Sequence, residues 1–366
     1  MNGNYKVRAL TMLDTAGGGD LLGALEDRIA LLSELRDRVS LNAGLEVETV
    51  RLVLEGFPLA EWVGMAEKVS ELAEDYGALI SIGPLNLEEA LGSYDMLLKL
   101  LEHGIFFNVL LPRPEWDYAR QASRLFHLAA EADPSYATLF GVNVAGTPLR
   151  TAYYPLASAA GARRSVAVSL TYPNYLAEAY RRGGLEELKD AVLGAARHVE
   201  ASVLSALEGS GLEYAGIDLS VAPWMRESSL ALVELVAGVR MPEPGFLLGV
   251  RLVNNVLDTA ARTVKSLGFN EVQLPVAEDL KLKARVSELD TTARDLARFT
   301  CACLAGLDLA VVPANIDAVA GLILDTAACS MTKGRVLGVR IVPVEDVEPG
   351  DKVWLDKFGE TPVIPI

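Results

Sequence analysis

Tyr5-Lys6-Val7-Arg8-Ala9-Leu10-Thr11-Met12-Leu13 reads as a strand, with Val7, Ala9 and Leu10 apolar. After a short glycine-rich turn, a long amphipathic helical pattern runs over residues 20–40, and Asp20 is a good N-cap for it. This strand-then-helix unit is the key to the rest of the chain. Working outward, strand patterns recur at residues 46–54, 78–82, 105–111 and 137–145. Helical patterns at 58–76, 87–103 and 115–131 fall between them.

Residues 146–161 break the rhythm with Pro148, Pro155 and several small residues, and read as a crossover between two halves. The rhythm then resumes with strand patterns at 164–170, 213–221, 270–276, 307–312 and 335–342. Helical patterns occupy 174–208 (with a break at Gly183-Gly184), 227–237, 246–267, 291–305 and 316–332. A short strand at 351–355 would add an edge. Helices alternating with near-continuous apolar strands predict a parallel sheet buried on both faces. Five strands before the crossover and five after it predict an α/β fold: a closed barrel, or two half-barrels facing each other. No linker separates independent domains, so residues 1–366 read as one domain. Its first half is about 1–145, the crossover 146–161, the second half about 162–345 and the tail 346–366.

Composition excludes several partners. The 366 residues are 51% hydrophobic and 22% charged, with a formal net charge of −16. An acidic chain repels phosphate backbones and anionic headgroups, which argues against nucleic-acid and membrane-surface roles. Mean hydropathy is high at +0.26, yet no stretch of the length a membrane span needs is free of charge. A small-molecule ligand is the partner that remains, and a homo-oligomer is compatible with the sequence. The polar start, Met1 to Arg8, lacks signal-peptide features, and three Cys are an odd number for a disulfide framework; a reducing cytoplasm is expected. Three distant His argue against a His-built metal site. Twenty-three Arg against ten Lys, with two Gln, suit a thermophile or a GC-rich genome.

Several strings in the second half carry a family resemblance: Ile217-Asp218-Leu219-Ser220-Val221-Ala222-Pro223, Leu274-Pro275-Val276-Ala277-Glu278-Asp279, and Phe299-Thr300-Cys301-Ala302-Cys303-Leu304-Ala305-Gly306-Leu307-Asp308. Val339-Arg340-Ile341-Val342-Pro343-Val344, Gly350-Asp351-Lys352-Val353 and Gly359-Glu360-Thr361-Pro362-Val363 follow, and Lys6-Val7-Arg8-Ala9-Leu10-Thr11 matches at the start. In order and spacing they resemble the uncharacterised domain of unknown function 711 family, also called UPF0210. The resemblance implies a ten-stranded α/β barrel of two five-stranded halves, similar to glycyl radical enzymes such as pyruvate formate-lyase (PFL-like). It also implies that the halves run antiparallel, so their loops open at opposite mouths. Two stretches depart from the family pattern. Pro242-Glu243-Pro244-Gly245-Phe246 replaces a Gly-Thr-His-Gly-Thr stretch, and Val168-Ser169-Leu170-Thr171-Tyr172-Pro173 replaces a Gly-rich turn.

Strand alternation places Ile217, Leu219 and Val221 on one face and Asp218 and Ser220 on the other, the lumen side of a barrel. Asp218 is thus a candidate acid/base, with Ser220 beside it; the alternative is a structural carboxylate capping a loop or pairing with Arg. Arg226 could grip an anion. Glu278 and Asp279 follow a strand, where ligand groups of α/β folds lie, or else they start a helix. No cofactor is expected, although a divalent cation would suit such carboxylates. Asn315 is a ligand candidate whose default role is helix capping.

Cys301 is a candidate nucleophile mainly by analogy with the lookalike barrel; Cys301 and Cys303 otherwise read as small buried hydrophobes. Arg335-Val336-Leu337-Gly338-Val339 resembles a glycyl-radical loop but sits inside an apolar strand, which favours close packing at Gly338. Ala16-Gly17-Gly18-Gly19-Asp20 could cradle phosphate, but a flexible turn suits it better because Asp20 would repel an anion. The functional expectation is a small-molecule metabolic enzyme with a polar lumen and no radical. The alternative is a non-catalytic metabolite-binding or assembly protein on a degenerate barrel.

Overall fold

The computed structural model describes residues 5–16, 18–302 and 305–366. Strands β1 (Lys6–Thr15), β2 (Val47–Glu55), β3 (Ala78–Asn86), β4 (Phe106–Leu110) and β5 (Phe140–Asn143) lie side by side in chain order, each parallel to the next. Between them run α1 (Leu21–Ala43), α2 (Leu59–Tyr76), α3 (Leu87–Gly92), α4 (Tyr94–Glu102) and α5 (Trp116–Ala132). Asp20 caps α1 as expected, accepting from Gly23 N at 3.1 Å.

The second half flanks the first on both sides. β6 (Ser165–Thr171) pairs antiparallel with β1 and parallel with β7 (Glu213–Asp218). At the far side, β9 (Gly338–Val344) pairs antiparallel with β5 and parallel with β8 (Gly306–Pro313). The nine-stranded order is therefore β7-β6-β1-β2-β3-β4-β5-β9-β8. Strand direction reverses at both seams. The mouth where β1 to β5 begin is thus the mouth where β6 to β9 end.

Six helices serve this half: α6 (Pro173–Leu207), α7 (Ser229–Ala237), α8 (Phe246–Ala261), α9 (Leu280–Val286), α10 (Ala293–Phe299) and α11 (Ile316–Lys333). α6 kinks at Gly183 and Gly184, where the break was expected; Gly184 has φ 66°. A separate hairpin, β10 (Lys352–Leu355) with β11 (Gly359–Pro362), forms the tail. The expected edge strand thus pairs within its own hairpin rather than with the main sheet.

The main core lies between sheet and helices. Leu25, Ile29 and Leu32 of α1, Val69 of α2 and Phe126 of α5 pack there with Leu10, Met12, Leu52 and Val109. Phe126 stacks on Phe140 at 4.7 Å, and Phe140 on Phe107 at 5.0 Å, tying α5 to β5 and β4. Each such side chain contributes about 1.5–3 kcal/mol by leaving water. This outer burial is why the strands are apolar almost throughout.

Ten ladder strands were expected and nine form. The missing one is residues 270–276. Side chains take three of its backbone N–H groups, while Gln273 N donates to Val221 O at 3.0 Å: Asn270 N donates to Asp218, Glu271 N to Ser220 and Val272 N to Asn254. Pro275 has no N–H to give. The segment and the stretch just before it instead touch β7 and its extension through isolated bridges, Val221 to Val272 and Ile217 to Ser266. On its other side, Ala305 N donates to Val272 O at 3.2 Å. Closure of the sheet by a continuous ladder is not found among the described residues. Three helices also end differently from expectation. The 87–103 helix divides at Ser93, the 246–267 helix stops at Ala261, and the 291–305 helix shrinks to α10, where Thr292 and Asp295 form a capping box. No described helix is long and apolar enough to cross a membrane.

Candidate functional site

The crossover between β5 and β6 does not run over the outer surface. Thr11 of β1 donates to Ala152 O at 2.9 Å, and Asn108 of β4 donates to Ala157 O at 3.2 Å. At the end of β2, Glu55 accepts from Ser158 Oγ and Ala159 N at 2.8 and 2.6 Å. Tyr153 OH reaches Ser220 O beyond β7 at 3.3 Å. Contacts from so many strands converge on one loop because the sheet curves around it. Ala152, Ala157 and Ala159 pack on Leu13, Val53 and Ala167, the inward apolar residues of β1, β2 and β6. Small side chains let the loop lie close to the sheet, which is why this stretch is rich in alanine.

Asp218 and Ser220 do face inward, as the alternation requires, while Ile217, Leu219 and Val221 join the outer core. Asp218 is fully buried and accepts five hydrogen bonds. They come from Thr151 Oγ1 (2.7 Å), Phe269 N (2.9 Å), Asn270 N (3.0 Å), Ser220 N (3.0 Å) and Ser220 Oγ (2.7 Å). It ties the crossover to the strand end and to the 268–270 turn. Gly268 has φ +76°, and a Cβ there would lie 2.0 Å from Asp218 Oδ2.

At the mouth where β1 to β5 begin lies a cavity of about 510 Å³. Arg8 (β1), Arg51 (β2), Arg340 (β9), Asp308 (β8), Glu278 and Lys357 line it, with aromatic walls from Phe106, Tyr153, Tyr154, Trp224 and Phe358. Glu278 is the hub. Its Oε2 meets Arg8 at 2.7 Å and its Oε1 meets Arg340 at 3.2 Å. Arg340 also grips Asp308 with two donors at 2.6 and 3.0 Å. Arg8 donates to Pro223 O at 2.9 Å, and its guanidinium carbon lies 5.5 Å from the Trp224 ring centroid; its Nε is buried with no partner.

Arg51 is placed differently. It is buried, donates to Thr49 Oγ1 at 3.1 Å, approaches Ala152 O at 3.5 Å and lies over the Tyr154 ring at 5.5 Å. No carboxylate among the described residues pairs with it within salt-bridge distance. Lys357, on the tail hairpin, has its ammonium 5.3 Å from the ring centres of both Phe106 and Phe358, and it too has no such carboxylate. Its chain as a whole is exposed, so it stands at the opening. The outer rim carries Lys6, paired with Glu46 at 2.8 Å and Glu48 at 3.5 Å.

The charges shift one another. Burial pushes the Glu278 carboxyl up, but Arg8 and then Arg340 outweigh it and hold the group below the ordinary carboxylate range. Burial and then the nearby Arg8 lower Arg51 to about 10. Loss of water lowers Lys357 to about 8, with Arg340 and Arg51 adding repulsion against the pull of Glu278. Burial and Asp218 raise Tyr153 well above its ordinary value, so it stays a neutral donor.

Of the sequence candidates, Glu278 alone lines this cavity. Asp279 turns the other way: it caps α9 through Lys281 N and Leu282 N and accepts from Ser228 Oγ at 2.9 Å. Asn315 caps α11 through Ala318 N at 2.9 Å. Arg226 is exposed and is not part of the lining. Neighbouring Glu227 accepts from Asn174, while Ser228 caps α7.

Cys301 requires a correction. Its sulfur is bonded to Cys329 across 28 residues, with Cα atoms 4.5 Å apart, so it offers no thiolate nucleophile. An odd cysteine count conceals one pair. Cys303 and Gly17 lie outside the described residues. Gly338 packs tightly, since a Cβ there would meet Leu156 Cδ1 at 2.0 Å. Among the described residues, no group of three or more His, Cys, Asp or Glu is placed to hold a metal.

The residues that sequence reading missed are Arg8, Arg51, Asp308, Arg340 and Lys357. The first four were legible in principle. Each is a charged residue inside an otherwise apolar strand, the same signal that marked Asp218. Lys357 carried no such mark, because only the fold of the tail brings it to the cavity.

The family profile described as Uncharacterised ACR (DUF711) matches residues 119–356. That range takes in the crossover, Glu278, Asp308 and Arg340. A UPF0210 protein of Pyrobaculum islandicum is 29% identical over 376 aligned residues, covering 91% of this chain and 82% of that protein. A UPF0210 protein of Methanopyrus kandleri is 32% identical over 167 residues, 43% of this chain and 37% of the relative. A UPF0210 protein of Lachnospira eligens is 28% identical over 163 residues, 43% of this chain and 36% of the relative. The last two matches thus span just over a third of those relatives' lengths.

Proposed function

The chain belongs to the DUF711 (UPF0210) family, and we propose that it is an enzyme of small-molecule metabolism, without a glycyl radical, that works in the mouth cavity. One observation carries this reading. Nine charged side chains from both halves of the chain line one accessible cavity. Desolvating charges costs several kcal/mol per ion, and a fold has cheaper ways to fill the space with apolar side chains. Such clusters mark functional sites.

Within this reading the protein is one domain, a barrel whose tenth position is the 265–276 segment between β7 and β8. The bridges on its β7 side and the hydrogen bond from Ala305 N to Val272 O on the other support that closure. Glu278, held ionised by Arg8 and Arg340, is the base or acceptor that meets the substrate. Asp218 and Ser220 are positioning residues that fix the crossover and with it Tyr153. The close packing of Gly338 under Leu156 speaks against a radical there.

A thermal-shift screen against metabolites tests the site, because a ligand that binds only the folded state raises its melting temperature. Ligands are expected to stabilise the native protein and to lose that effect with Glu278→Gln. If the stabilising ligands act equally on Glu278→Gln and Arg51→Met, the cavity is not the site. Turnover of a stabilising ligand, abolished by Glu278→Gln, separates an enzyme from a binding protein.

A further inference from the structure

The charges in the cavity do not balance. Its inner wall carries four cations, Arg8, Arg51, Arg340 and Lys357, against two carboxylates, Glu278 and Asp308. Asp308 is engaged by Arg340, and Glu278 is shared between Arg8 and Arg340. Arg51 and Lys357 are left over. Both lie against aromatic faces, Tyr154 and Phe106, whose ring centres are 5.2 Å apart. This positive surplus sits in a chain of net charge −16, so no general basicity explains it. The rim offsets only part of it: Glu46 and Glu48 converge on Lys6, which leaves one negative charge there and a net surplus of one cation in the whole lining.

Resting on the reading of this cavity as the site, we propose that its ligand is a small metabolite with a dianionic end, seated between Arg51 and Lys357. The shared chemistry is two negative charges within reach of both cations, as in a phosphate monoester or a dicarboxylate. Arg51 offers the planar fork of donors that suits such groups, and Lys357 offers a point charge at the opening. The aromatic walls give the rest of the ligand an apolar surface. Cations that repel one another when the cavity is empty are relieved when a dianion binds, so the ligand stabilises its own site.

The test is calorimetric binding to the full chain, with inorganic phosphate, phenyl phosphate, succinate and acetate as probes. At least one dianionic probe should bind ten-fold or more tightly than acetate, and affinity should fall with salt. Phosphates and dicarboxylates are separate arms, and the tighter one identifies the source chemistry. Lys357→Met should weaken dianion binding about ten-fold, and Arg51→Met more, while Lys352→Met on the same hairpin should leave it unchanged. Lys357 is exposed, so its variant keeps the measurement decisive even if Arg51→Met misfolds. Dianions that bind no better than acetate, or bind Lys357→Met as tightly as the native chain, overturn the proposal. If an uncharged or cationic metabolite instead stabilises the native chain and loses its effect in Glu278→Gln, the site stands and the dianion falls. If no ligand depends on cavity residues, both fall.

Discussion

Single side chains at the centre of this molecule divide between holding the chain and meeting a ligand. Asp218 is fully buried with five donors, the setting of a structural carboxylate. Asp218→Asn turns an acceptor-only carboxylate into a group with an N–H₂ end, leaving buried donors unmatched. Unfolding measured in denaturant should show a loss of about 3 kcal/mol. An unchanged midpoint would remove Asp218 from the scaffold. Lys357 has the opposite character, with no carboxylate among the described residues within salt-bridge distance and an ammonium lowered to about 8. Its charge is full below that value and is lost as pH rises through it, in the field of Glu278, Asp356, Arg340 and Arg51. A dicarboxylate keeps constant charge above about pH 6, so its titration reports the protein alone. Its affinity should be flat from pH 6 to about 7.5 and fall through about 8 to 9. Lys357→Met should flatten that profile, and a native profile without the fall would contradict the assignment.

At the scale of elements, two pieces outside the main ladder do most to shape the site. The crossover lies against the inner face of the curved sheet, where Ala152, Ala157 and Ala159 pack on Leu13, Val53 and Ala167. The tail hairpin brings Phe358 and Lys357 to the mouth, and Lys283 of α9 anchors it by donating to Phe358 O and Glu360 O at 2.6 and 2.9 Å. A third constraint is covalent. The Cys301–Cys329 bond ties the turn after α10 to α11 across 28 residues, and closing a loop of that size contributes about 3.6 kcal/mol. Reduction, or Cys301→Ser, should lower the denaturation midpoint accordingly. Equal midpoints for oxidised and reduced protein would show that the bond adds no stability.

For the whole molecule, the two seams where strand direction reverses are unequal. β1 and β6 pair at seven positions, whereas β5 and β9 pair at two, Val142 with Val339 and Asn143 with Gly338. Leu156 and Gly141 line a small cavity of about 40 Å³ beside that shorter seam. Native-state hydrogen exchange should therefore open the β5–β9 amides before those of β1, β2 and β6. A ligand in the mouth cavity should slow that opening, since Arg340 of β9 lines the cavity and Arg8 of β1 faces it across Glu278. Uniform exchange across both seams would contradict this picture.

Much of this architecture was written in local pattern. Apolar runs punctuated by helices announced a buried parallel sheet, because an extended segment covered on both faces must be apolar on both. Asp20 and Gly183-Gly184 marked a helix start and a kink through backbone chemistry that needs no tertiary partner. Alternation around Asp218 gave its inward face. Residues 270–276, by contrast, have a strand's composition, and only the positions of Asp218, Ser220 and Asn254 divert three of their N–H groups from a ladder. The same holds for the site. Arg8, Arg51, Arg340 and Lys357 are far apart in sequence, and their mutual repulsion exists only once the sheet has curved and reversed direction at its seams. Sequence alone determined which segments had to be buried, since hydrophobic burial is read residue by residue. Tertiary structure alone decided which charges were brought together, since Coulomb interaction depends on distances that no local pattern contains.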